Sequence, residues 1–320
     1  MNGLLRGNAL LGLGAALLWG GGDFSGGMGV KRAGGGVGAA LRVVLLSHAT
    51  SFAVLVAMAR LRGDAFPQGA VLEWGIAAGV AGGLSLTAFY TALSRGAMGA
   101  SAALSGLLAA AIPAGLTLWQ EGSPGARAMA GFAVAGAAIW LIAAGGAHGV
   151  ETAEEAALER ETTAQQKIAR QAGTRQTMAL AVLAGAGFGV YFVALKMANP
   201  AGVIWPMATA RVGSLTVCGL MLLGRSLRPW RSGWEGKETP IRLGRAAVGW
   251  ALAAALMDTS GNLLFLAATR VGRLDVASVL ASLYPASTIV LAALALGERP
   301  TKRQALGMVA AAAAVVLIAL

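Results

Sequence analysis

The chain has 320 residues, 57% of them hydrophobic and only 12% charged, with a mean hydropathy of +0.68. A soluble domain carries about twice that share of charge, so the composition excludes an ordinary soluble fold and points to an apolar solvent. The formal net charge of +11 sits in short segments between apolar runs. That suits lipid headgroups; with no zinc-finger spacing and no aromatic-basic platform, no nucleic-acid partner is expected.

A helix needs about 20 apolar residues to cross the hydrocarbon core. The sequence predicts ten such helices, at 9–30, 36–59, 70–93, 98–119, 126–146, 177–197, 202–224, 246–268, 274–296 and 303–320. Arg6 precedes the first apolar run, which continues past signal-peptide length without a clean cleavage site and reads as a spanning helix. Between the fifth and sixth helices lies a polar stretch, 147–176, with Glu early and Lys167 and Arg170 late. This order complements a helix dipole, so a solvated joining helix is expected. The 225–245 loop carries Arg225, Arg228, Arg231, Lys237, Arg242 and Arg245 with Trp230 and Trp234, a headgroup-level anchor. The 47 glycines let backbones approach closely in lipid. Cys218 is the one cysteine, so neither a disulfide nor a thiolate metal cluster can form.

The chain reads as two related parts, 1–146 and 177–320, joined by 147–176. LWGGGDFSGGM (18–28) aligns with GFGVYFVALKM (187–197), and the same offset of 169 superimposes Arg42-Val43 on Arg211-Val212. An offset of 175 brings Arg95 onto Arg270, and one of 176 brings Pro124 onto Pro300. An odd number of helices per unit forces the two copies to enter the membrane from opposite sides. The expected fold class is therefore an all-α membrane protein of ten transmembrane helices in two inverted five-helix repeats, a design common in secondary transporters.

SLYPASTIVLAALALGERPTKRQALG (282–307), Leu18-Trp19-Gly20 and the two Arg-Val pairs resemble the EamA family of the drug/metabolite transporter superfamily. The first copy departs from the pattern, reading Gln120-Glu121-Gly122-Ser123-Pro124 where the second has Gly297-Glu298-Arg299-Pro300. The resemblance implies a central cavity between the halves and transport of metabolites, often outward. It also implies both termini inside, whereas the Lys and Arg distribution across the loops favours both outside.

Ionisable groups at bilayer depth are costly, about 2.5–3.5 kcal/mol at mid-helix, and mark function by default. Asp23 lies in GGGDFSGG (20–27), where glycine weakens the helix. Asp258 and Asn262 share one helix face, with Ser260 and Gly261 adding polarity and room. Arg42 and Arg211 occupy matching positions; each could pair with Asp23 or Asp258, bind a substrate carboxylate, or simply hold its half together. Pro113 and Pro285 each free a carbonyl, at Ala109 and Ala281, and kinks in corresponding helices point to a binding site. Ser282 and Tyr284 flank one of them and Ser105 the other. Trp19, Tyr90 and Tyr191 could line a cavity or merely pack. His48 reads as a satisfied structural histidine rather than a proton relay, Lys196 as a snorkelling residue, Glu73 as interfacial, and the Glu298-Arg299 turn as structural.

The expected function is a secondary transporter that moves a small metabolite, amino acid-like or related, across the inner membrane by alternating access, with export and proton coupling both allowed. The alternative is a non-transporting receptor or scaffold. An intramembrane enzyme would need a metal or nucleophile constellation, and His48 and His148 supply none; no cofactor is expected. Monomer and homodimer are both allowed.

Overall fold

The computed structural model describes residues 2–95, 98–147, 164–227, 243–296 and 300–319. The described residues form helices α1 (Asn2–Arg32), α2 (Gly36–Arg62), α3 (Ala70–Arg95), α4 (Met98–Glu121), α5 (Ala126–Ala147), α6 (Ala164–Ala198), α7 (Ile204–Leu227), α8 (Arg245–Val271), α9 (Leu274–Ala281), α10 (Tyr284–Leu296) and α11 (Lys302–Ala319), with no strand among them. Among the described residues, eight helical segments are long and apolar enough to cross a membrane, α9 and α10 counting as one. In α1, glycines together with Asn8 and Asp23 dilute the apolar run.

Helix ends follow local chemistry. Gly34 and Gly35 take positive φ (92° and 77°) and turn the chain from α1 into α2 within three residues. α2 stops at Gly63 in the left-handed region, with Arg60 and Arg62 in its last turn facing the negative end of the helix dipole.

Two features differ from the sequence expectation. The sixth helix starts at Ala164, inside the stretch read as a linker, because its polar tail and its apolar span form one continuous helix. The ninth span is broken rather than kinked: α9 ends at Ala281 and α10 starts at Tyr284. At the break the Leu283 N–H bonds the Leu280 carbonyl at 3.2 Å, a tightened turn. Pro285 therefore sits in the first turn of α10, where a missing N–H costs little. Pro113, by contrast, lies inside an unbroken α4. His148, the linker up to 163, the basic loop over 228–242 and the Glu298-Arg299 turn lie outside the described residues.

The broadest interfaces run between early and late helices: α1 against α8, α3 against α6 and α7, α2 against α7, α4 against α6, and α5 against α11. Small residues make this close packing sterically feasible. Gly75, Gly79 and Gly83 lie four residues apart on one face of α3. A Cβ at Gly79 would overlap the Ala210 carbonyl of α7, and one at Gly213 would overlap the Ile76 carbonyl of α3. Glycine is needed at both because the two backbones touch.

Candidate functional site

The α3–α7 seam places a continuous polar network in the bundle interior. Arg211 on α7 is its centre, with a side chain only 4% exposed. Its guanidinium donates to Asp258 Oδ2 at 2.5 Å, to Ser51 Oγ at 2.9 Å and to His48 Nε2 at 3.0 Å. Arginine has donors only, so His48 Nε2 must accept. The ring proton then sits on Nδ1 and points to Ser214 Oγ, 2.6 Å away. His48 is a neutral, fully engaged histidine in this arrangement.

From Asp258 the network continues along α8. Asn262 Nδ2 donates to Asp258 Oδ1 at 2.9 Å and to the Asp258 backbone carbonyl at 2.7 Å. Tyr191 on α6 donates its hydroxyl to Asn262 Oδ1 at 2.7 Å. Thr259 Oγ1 lies 2.6 Å from Ser51 Oγ, tying α8 to α2. Both Asp258 oxygens thus accept hydrogen bonds, one of them from a cation, which is how an ionised carboxylate is held in a low-dielectric interior.

A cavity of about 20 Å³ opens on this network, lined by His48, Arg211, Ser214, Asp258 and Tyr191 together with Gly79, Gly82 and Gly83. Metabolite pockets usually enclose about 300–1,000 Å³. The cavity seen here is much smaller, with room for about one water.

Hydrogen bonds join Arg211, Asp258, Asn262 and Tyr191 from the sequence candidates, and the others stand outside that hydrogen-bonded set. Arg42 turns its guanidinium back to the Gly38 carbonyl at 3.1 Å and has no carboxylate partner among the described residues. Trp19 stacks on Phe192 with centroids 5.2 Å apart and covers Gly261, a packing role. Tyr90 lies over Gly26 and reaches the Gly22 carbonyl at 3.5 Å. Tyr284 bonds the Ala102 carbonyl at 3.2 Å, and the Ser282 hydroxyl beside it is buried without a partner among the described residues. Asp23 is buried within electrostatic reach of Asp258, Tyr90 and Tyr284.

Sequence reasoning missed Ser51, Ser214 and Thr259 and treated His48 as isolated. The signal was present: His48 and Ser51, and Arg211 and Ser214, are pairs three apart, so each pair shares a helix face. It also missed the cluster at the bundle end where α1 begins. There Arg273 holds the fully buried Asp275 at 2.7 Å and the Gly122 carbonyl at 2.7 Å, and the Asn8 side chain donates to the Arg273 carbonyl at 3.0 Å. The hydrogen bond it donates to Asp275 raises the Arg273 guanidinium above its ordinary value and keeps it charged. Nearby, Lys196 and Asn199 bond Thr269, so Lys196 closes the helix end against α8. Among the described residues no cluster of His, Cys, Asp and Glu could hold a metal ion.

Residues 175–320 match the family model of the EamA-like transporter family. The match covers the second half of the chain, which is similar to that family over those residues. Arg211, Asp258, Asn262 and Tyr191 all lie within the matched residues, so the network is centred on the EamA-like part. Ten chains of solved structures also match. One, described only as "Crystal structure of protein", aligns over 97% of this chain and 95% of its own length with a TM-score of 0.64 at 17% identity. That likeness shows the fold of the whole chain, including the half outside the family match. No curated protein matches the chain. The chain is thus a multi-pass membrane protein whose second half matches a transporter family.

Proposed function

We propose that the chain is a secondary transporter moving a small metabolite, amino acid-like or related, across the inner membrane by alternating access. Two oppositely inserted five-helix units, 1–146 and 177–320, rock about the Arg211–Asp258 cavity, and 147–176 joins them. The observation that carries this reading is the cavity itself: a buried charge pair lines a chamber between helices of the first unit, α2 and α3, and helices of the second, α6, α7 and α8. Charges at that depth are expensive unless they serve a pathway.

Helix packing supports the repeat. Numbering each unit one to five, four of the broad interfaces pair first with third, third with first, second with second and fifth with fifth, while third with second (α3 with α7) is broader than its mirror, α2 with α8. Those four pairings are unchanged when the units are exchanged, as expected of a twofold axis in the membrane plane. The repeat also accounts for the lopsided site. At the offset of 175, Asp258 falls on Gly83 and Asn262 on Thr87. Arg42, the counterpart of Arg211, thus faces no carboxylate in its own unit and folds back on its helix.

Within the network around Arg211, four hydrogen bonds cross between the units: His48 with Ser214, His48 with Arg211, Ser51 with Arg211, and Ser51 with Thr259. Rocking must break or exchange these, and polar groups of a bound solute replace them. Flux in proteoliposomes tests the reading: wild-type protein carries a solute from an amino-acid and metabolite panel, and Asp258→Asn loses it. Unchanged flux in Asp258→Asn removes the pair from the mechanism.

A further inference from the structure

Counting charges in the interior leaves one carboxylate over. Asp258 accepts from Arg211 and Asn262, and Asp275 is held by Arg273. Asp23, on α1, is 9% exposed. It has no hydrogen bond and no ion pair among the described residues. The groups facing it are known for each helix packed on α1. From α8 comes Asp258, already engaged; from α3, Tyr90; from α10, Tyr284. Arg42 on α2 is turned back on Gly38, and His48 is saturated by Arg211 and Ser214. Lys302 and Arg303 stand at the start of α11, and Asp275 of α9 is locked to Arg273. Two phenols and a second carboxylate supply no positive charge.

An ionised Asp23 would be a buried, uncompensated anion beside a second anion, an arrangement costing several kcal/mol. A positive charge must accompany it. A metal cation needs a shell of oxygens, whereas a proton needs none. We propose that Asp23 is a proton-binding site, neutral in this conformation, and that the two interior carboxyls divide their work: Asp258 stays ionised against Arg211 while Asp23 carries an exchangeable proton. On the alternating-access reading, opening of the α1–α8 face to water releases that proton, which makes Asp23 the coupling site. The proton assignment itself needs no transport.

The test uses the purified full chain in detergent. Dicyclohexylcarbodiimide adds to protonated carboxyls in apolar surroundings, and intact-mass spectrometry counts the adducts. One adduct is expected near neutral pH, mapped to the Asp23 peptide in the wild type, lost in Asp23→Asn and kept in Glu73→Gln. Raising the pH reduces it; exchanging choline chloride for sodium chloride does not. Asp23→Asn, a neutral isostere, melts with the wild type, and its infrared spectrum loses one carboxylic C=O band. No adduct on Asp23, protection by sodium, an unchanged infrared spectrum, or a destabilised Asp23→Asn each overturns the proposal. A chain that labels at Asp23 yet carries no solute keeps the proton site and refutes only the transporter reading.

Discussion

Asp258→Asn separates two accounts of what the Arg211 network contributes. If the link is an ordinary hydrogen bond within a bundle, its loss costs about 0.6 kcal/mol, and at most about 1.7 kcal/mol, as measured for such bonds in membrane proteins. If it is a buried ion pair, removing one partner leaves an uncompensated guanidinium and costs about 3–5 kcal/mol. The geometry selects the second. The Arg211 side chain is 4% exposed, its closest partner is Asp258 Oδ2 at 2.5 Å, and its other partners are neutral. The 16% exposure of the Asp258 side chain and the retained bonds to His48 and Ser51 place the expected loss near the lower end, about 3 kcal/mol. Taking about 2–4 °C per kcal/mol from domains of 150–250 residues, the thermal midpoint in detergent falls by more than about 5 °C. Adding Arg211→Gln removes the stranded charge and recovers part of the loss. A fall of about 1 °C, or a double variant worse than the sum of the singles, refutes the ion-pair reasoning.

Gly79→Val drives a side chain into the Ala210 carbonyl and destabilises by at least about 1–3 kcal/mol, whereas Gly136→Ala, with open space around it, melts with the wild type or slightly above it; paired thermal melts check both. Tyr191→Phe deletes the bond to Asn262 while keeping the ring, and is expected to cost about 0.6–1.7 kcal/mol in melts and to slow flux in proteoliposomes. Cys218 is fully buried, so a water-soluble maleimide leaves the folded wild type unlabelled and modifies it only after denaturation in SDS; this is read by mass.

The spanning helices were legible because a 20-residue apolar run has few other uses. What escaped were features that depend on contact across space. Arg42 and Arg211 are equivalent by sequence offset, yet only Arg211 meets a carboxylate, because the partner comes from a third helix. Ser51, Ser214 and Thr259 look like ordinary small polar residues until the glycines of α3 bring the surrounding helices close. Pro285 signalled a disturbance in the ninth span but not its form: the tightened turn at Leu283 ends one helix, and the proline starts the next. Pro113 has the same chemistry and causes no break. The polar start of α6 could not be told from a separate linker helix, since a solvated helix and a helical extension share one charge pattern.

The account stands on the cavity between α2–α3 and α6–α8 being reached from each side of the membrane in turn. Leu86 lines that cavity, and a cysteine there, in a Cys218→Ser background, can be challenged with an impermeant thiol reagent. Sealed vesicles of each orientation are used. Labelling from both faces, with added solute shifting the balance between them, is the predicted result; labelling from one face only, or from neither, contradicts it.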